Sequence, residues 1–179
     1  GNYIGFGWPD RLDFLKWIAY LTQRNGPDAE IVLHGISMGG ATVLMTSGEY
    51  LPENVKCIIS DCAYTSVKDI LTYQLTRTYK LPAFPIAHLT SLICKLRAGY
   101  FFGEASALEQ VRKSNRPILF IHGADDAFVP VAMVERLYAA APGYKEKEIY
   151  PDSGHGLSCV HHKEDYIRRV QGFVEKFVS

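Results

Sequence analysis

Four short apolar runs punctuate the chain, at residues 31–33, 55–60, 117–121 and 146–150. Each is too short for a helix and rich in β-branched residues, which predicts buried strands. Between them the period changes. The stretch PDRLDFLKWIAYLTQ repeats Leu12, Leu15, Ile18 and Leu21 at three-residue spacing, with Pro9 suited to a first turn. Near the end, KEDYIRRVQGFVEKFV gathers Tyr166, Ile167, Val170, Phe173, Val174 and Phe177 on one stripe, with Arg168 and Arg169 on its solvated side. Strands that alternate with helices predict an α/β fold, a mostly parallel sheet with helices on both faces.

One connection is out of proportion. Roughly fifty residues separate the second strand from the third, far more than a simple crossover needs. They hold TSVKDILTYQLTRTYK, then LPAFPIAHLTSLICKLRAG set apart by Pro82 and Pro85, then SALEQVRKS leading into the strand. The expectation is one domain over residues 1–179 with a helical lid or cap inserted at about 64–104. Its aromatics, from Tyr64 to Phe102, serve either extra core or a cover over a site.

Composition narrows the class of partner. The 179 residues are 47% hydrophobic and 21% charged, ordinary for one globular domain. Lys plus Arg total 19 and Asp plus Glu total 19, which leaves no electrostatic footprint for nucleic acid or an anionic membrane. No apolar run is long enough to span a bilayer and no signal-peptide pattern opens the sequence. Cys57, Cys62, Cys94 and Cys159 have no C-x-x-C spacing and sit mostly in apolar company, as reduced cysteines in a cytoplasmic protein do.

The chemistry concentrates after the strands. In EIVLHGISMGGATVL, Ser37 lies on a strand-to-helix turn between Gly35 and Gly39, the pattern G-x-S-x-G. Such a turn crowds the backbone, so glycine is expected two residues before and two after, and the hydroxyl is thrust clear as a nucleophile's must be. A serine needs a base to take its proton, and the base needs a carboxylate to hold its tautomer. PILFIHGADDAFVP carries Asp125 and Asp126 just beyond a strand, and DSGHGLS presents His155 after the next. Loops at the carboxyl ends of parallel strands are where active-site groups gather. His34 and His122 read as hydrogen-bonded structural histidines. His155, Cys159, His161 and His162 lie close in sequence but fit no zinc spacing, so no metal is expected.

With the order Ser, Asp, His, the sequence resembles the α/β-hydrolase superfamily over nearly its full length. HGISMGG is similar to the nucleophile elbow, IHGADDAFVP to an acid loop of the form H-G-x-x-D-x-x-V-P, and SGHG to a histidine loop. The segment YIGFGW, with the Arg, Asp and Trp that follow, resembles cinnamoyl-esterase-like and prolyl-oligopeptidase-like members. The resemblance implies Ser37 as nucleophile, Asp126 as acid, His155 as base and the Met38 backbone N–H as an oxyanion donor, with no cofactor. It implies a serine hydrolase for a small-molecule ester, before an amide or peptide. Phe128, Leu157 and the insertion suggest an apolar or aromatic acyl group. The rival is a non-catalytic binding module of the same fold, or an inactive fragment.

The resemblance also bears on what surrounds these residues. The family sets its elbow after a fifth strand, whereas here it follows the first recognisable one, and GNYIGFGW opens without an initiator methionine. The chain is therefore expected to be the C-terminal half to two-thirds of an enzyme, with Met38 as its only oxyanion donor and poor activity alone. An apolar strand at 31–33 with a bare edge is expected to pair with another molecule, giving an edge-strand dimer.

Overall fold

Each apolar run becomes a strand of one parallel sheet. In the computed structural model, which describes residues 4–179, they are β1 (Ile31–Ile36), β2 (Val55–Asp61), β3 (Ile118–Gly123) and β4 (Lys145–Tyr150), in the order β1-β2-β3-β4. Every neighbouring pair is parallel. The helices are α1 (Asp10–Asn25), α2 (Met38–Ser47), α3 (Val67–Arg77), α4 (Ala83–Ala98), α5 (Ala107–Val111), α6 (Ala132–Ala140), α7 (Ser158–His161) and α8 (Lys163–Val174).

Alternation along each strand divides the core in two. Leu33, Ile58, Ile118 and Phe120 face the helices that precede or cross between the strands, among them Val43 and Leu44 of α2, Val111 of α5 and Leu137 of α6. Cys57, Ile59, Leu119 and Ile121 point to the other face, where α8 lays Tyr166 and Phe173. The strands advance in one direction across the sheet, so their crossovers share a face and the final helix is left to cover the reverse.

The stripe on α8 is largely as the pattern predicts: Tyr166 and Phe173 are buried, Val170, Val174 and Phe177 lie against them, and Ile167 is exposed. On α1 only Ile18 of the four repeated residues is buried, with Phe14 and Leu15 partly so, and Leu12 and Leu21 face solvent. A strict three-residue step slips by about 60° per repeat at 3.6 residues per turn, so Leu12 and Leu21 end on opposite sides of the helix.

The long connection carries α3, α4 and α5. The last is core, with Ala107, Gln110 and Val111 buried, and no residue of α4 is buried. The segment beginning YIGFGW is fastened to this connection: the Tyr64 hydroxyl donates to the Phe6 carbonyl and the Tyr100 hydroxyl to the Gly5 carbonyl, both at 2.9 Å. Its Tyr3 lies outside the described residues. Among the described residues β1 pairs only with β2, so the far side of β1 is a sheet edge, as the sequence leads one to expect. All four cysteines are free thiols.

Candidate active site

Parallel strands bring their carboxyl ends together, and the chemically capable side chains gather there. Ser37 follows β1 and precedes α2 with φ 56° and ψ −115°. A positive φ in a residue with a Cβ costs free energy and persists only where the surroundings impose it. Here the Ser37 N–H donates to the Asp61 carbonyl at the end of β2, at 2.8 Å, and the Ser37 carbonyl accepts from Ala41 N–H at 2.9 Å.

The glycines around it divide differently from the expectation. A Cβ on Gly35 would overlap the Gly39 carbonyl, so Gly35 is required. Gly39 itself has open space where a Cβ would go. The second steric constraint falls on Gly40, whose Cβ would lie 2.6 Å from the Asp61 carbonyl oxygen. The turn folds Gly39's backbone over Gly35, while the first turn of α2 presses Gly40 against the end of β2.

His155 stands across from the serine. Its Nε2 lies 2.7 Å from Ser37 Oγ and its Nδ1 lies 2.7 Å from Asp126 Oδ2. Asp126 is buried and Asp125 exposed, so the geometry selects Asp126 of the adjacent pair. The other oxygen of Asp126, Oδ1, accepts from the backbone N–H groups of Phe128 and Val129 at 2.9 and 2.8 Å. His122 Nε2 donates to the Val129 carbonyl at 2.8 Å and lies 3.3 Å from Asp126 Oδ2. Burial by itself would raise the Asp126 pKa; the contacts to His122, His155 and the Val129 N–H outweigh it and hold the carboxyl well below its ordinary range. An ionised Asp126 accepts, so His155 carries its proton on Nδ1 and turns a lone pair on Nε2 toward the serine hydroxyl.

The two loops are locked together. Ala124 N–H donates to the Tyr150 carbonyl at 2.8 Å, and Asp125 N–H to the Ser153 carbonyl at 3.0 Å. Gly123 is obligatory, because a Cβ there would overlap the Ser153 carbonyl. Phe128 leans on the His155 ring, centroids 4.9 Å apart. Met38 opens α2, so its N–H is one of the first-turn donors that no carbonyl of the helix can satisfy.

His34, His161 and His162 have hydrogen-bond partners, and His88 on α4 meets the Phe84 ring edge-on with centroids 5.3 Å apart. His34 Nε2 lies 3.3 Å from the Tyr166 hydroxyl, which also donates to Asp61 Oδ2 at 3.1 Å. His161 and His162 bond the carbonyls of Asp152 and Pro151. The polar atoms that do converge are those of Cys62, Asp126 and His155, one from each lying within 4.8 Å of the others. Burial, then the nearby Asp61 charge, pushes the Cys62 thiol up to about 12. Within this group Asp126 Oδ2 is already engaged by His155 Nδ1 at 2.7 Å. Asp61, the last residue of β2, and Cys62, just beyond it, are not singled out by the sequence as site residues, although the carboxyl end of a strand is the signal that picks out Ser37, Asp126 and His155.

Residues 9–179 match the prolyl oligopeptidase family. The chain is 31% identical over 175 residues to the uncharacterized protein YqkD of Bacillus subtilis, an alignment that spans 98% of this chain and 57% of that protein. The chain thus spans less than two thirds of that relative's length. Among solved structures, the Pyrococcus furiosus esterase Pf2001 superposes with TM-score 0.76 at 20% identity, covering 100% of this chain and 66% of that one. The acylaminoacyl peptidase of Pyrococcus horikoshii superposes with TM-score 0.69 at 18% identity, covering 94% of this chain and 28% of that one. At such identity the likeness is one of fold.

Proposed function

The chain belongs to the prolyl oligopeptidase family, within the α/β-hydrolases, and on that premise we propose that it carries the catalytic residues of a serine hydrolase acting through an acyl-enzyme on an ester. The observation that bears the most weight is the unbroken line Ser37 Oγ–His155 Nε2 and His155 Nδ1–Asp126 Oδ2, both at 2.7 Å. That line is what a weak hydroxyl nucleophile requires.

In this reading Ser37 Oγ attacks the substrate carbonyl carbon as its proton passes to His155 Nε2. The imidazolium so formed is stabilised by Asp126 through Nδ1–H, and the oxyanion develops beside the Met38 N–H. Collapse expels the alcohol oxygen, which takes the proton from Nε2. Water then attacks the acyl carbon as its proton passes to His155 Nε2, and collapse releases the acid while Nε2 returns that proton to Ser37 Oγ. No step calls on a cofactor.

The ester reading draws on exposed apolar side chains beside the reacting groups: Met38, which opens α2 next to Ser37, and Phe128 and Leu157 in the loops that carry Asp126 and His155. The insertion is assigned as a cap: α3 rests on the acid loop, with the Tyr73 hydroxyl donating to the Ala127 carbonyl at 3.2 Å and the Gln74 amide to the Phe128 carbonyl at 2.6 Å.

A fluorophosphonate probe with peptide mapping tests the assignment in the intact protein. Labelling at Ser37 is expected, with Ser37→Ala and His155→Ala each lowering ester turnover on the order of 10⁴-fold or more. Near-native turnover by Ser37→Ala overturns the reading, and a silent probe with no turnover points to a binding module instead. Faster cleavage of aminoacyl amides than of aryl esters would move the substrate class to peptides.

A further inference from the structure

Helix α4 is built inside out. Its inward side is small: Ala87 and Ser91 line a cavity of about 310 Å³ between α3 and α4, and Cys94 and Ala98 touch the core. Its large aliphatics face away. Leu89, Leu92, Ile93 and Leu96 fall within about 100° of arc at 3.6 residues per turn, all exposed, with Leu96 79% accessible. Phe84, at the start of the helix, is 72% accessible. An ordinary surface helix puts that stripe in the core.

The charge along this segment of the chain is one-sided. From Ile70 to Gly103 the sequence has no Asp or Glu, yet it holds Arg77, Lys80, Lys95 and Arg97. Lys95 reaches Glu104 at 3.1 Å, and among the described residues Arg77, Lys80 and Arg97 form no ion pair with a carboxylate. The even balance over the whole chain conceals this local excess. On the helix, Lys95 and Arg97 flank the aliphatic stripe on its two sides. An aliphatic stripe bordered by cations fits the boundary between acyl chains and anionic headgroups.

We infer that α4 docks this protein on an anionic phospholipid surface, lying in the plane of the interface with Leu89, Leu92, Ile93 and Leu96 turned toward the acyl chains. At 16 residues α4 is shorter than the ~20 needed to cross a bilayer, so it lies on the surface rather than through it. A second copy suits the face less well, since a two-fold contact would set the same acid-free basic segment against itself.

The test is co-sedimentation of the intact protein with phosphatidylglycerol vesicles and, separately, with neutral phosphatidylcholine vesicles. Binding is expected to the anionic vesicles, weakened by high salt. The pair Arg77→Gln and Lys80→Gln should each cost about fivefold in partitioning, and Leu92→Ser with Leu96→Ser about tenfold or more. These side chains are exposed, so circular dichroism should be unchanged. Probe labelling of Ser37 reports on hydrolysis independently, so the two readings fail separately. Absence of binding to anionic vesicles overturns the inference, as does equal binding to both lipids or binding that survives both variant pairs. A self-association abolished by the leucine changes, without vesicle binding, assigns the face to a second copy and also overturns it.

Discussion

Replacing Asp126 by Asn exchanges one atom for another of nearly the same size, so what it changes is charge and hydrogen-bond polarity. The retained amide oxygen can keep the two backbone bonds from Phe128 and Val129. The new NH₂ then stands where Oδ2 stood, 2.7 Å from His155 Nδ1 and 3.3 Å from His122 Nε2, facing two N–H groups with a donor. His155 relieves the conflict by moving its proton to Nε2, where it points at Ser37 and no longer accepts from it. Loss of the correct tautomer costs about 10⁴ in rate in serine proteases, about 5 kcal/mol of transition-state stabilisation. The folding cost is smaller: losing charge-assisted bonds amounts to about 2 kcal/mol, within the 5–15 kcal/mol typical of a domain. The assay is ester turnover, alongside the rate of fluorophosphonate labelling at Ser37, with circular dichroism to establish that the variant is folded. Asp125→Asn is the control: that side chain is solvent-exposed and should stay within about twofold of the parent. A folded Asp126→Asn that labels at near-native rate, or an equal loss in Asp125→Asn, would refute the argument.

Three further outcomes are expected. Gly39→Ala should be neutral or stabilising by up to about 1 kcal/mol, whereas Gly40→Ala should destabilise by about 2 kcal/mol or more because its Cβ meets the Asp61 carbonyl; urea midpoints of the two variants that move alike would contradict the placement of the turn. Because the folded-state pKa of Asp126 is depressed, its stabilising contribution is complete above the ordinary aspartate range near pH 4 and is lost as pH falls through the lower folded value. The stability gap between parent and Asp126→Asn should therefore be flat above about pH 5 and close on acidification below about pH 4; a gap that widens there would show the sign to be wrong. The edge of β1 should support dimerisation in sedimentation velocity, weakened by His34→Lys, a charge placed on an exposed edge position; a monomer at all concentrations, or a dimer indifferent to the change, counts against it.

Much of this molecule could be read along the chain because the information is local. A buried parallel strand announces itself by a short apolar run, and β1 to β4 lie where those runs are. A helix that covers a sheet carries a stripe, as α8 does. Ser37 could be put forward as a candidate nucleophile because the G-x-S-x-G turn, its strand and its helix are contiguous, and His155 as a candidate base because a histidine between glycines just past a strand falls at the sheet's carboxyl end. What the chain could not decide depends on what meets across it. Asp125 and Asp126 are chemically identical neighbours; the resemblance picks Asp126 by its spacing from His122, but it is the closure of the β3 loop against the β4 loop that physically turns one to His155 and the other to water. Gly40 rather than Gly39 bears the steric constraint because β2 presses there, twenty residues away in sequence. Leu12 and Leu21 look like core residues until the turn of α1 carries them to opposite sides. On α4 the aliphatic stripe reads as core by period alone, and it faces outward because the small side of the helix is what fits against α3. Period specifies that a face exists; packing between distant segments decides which way it turns.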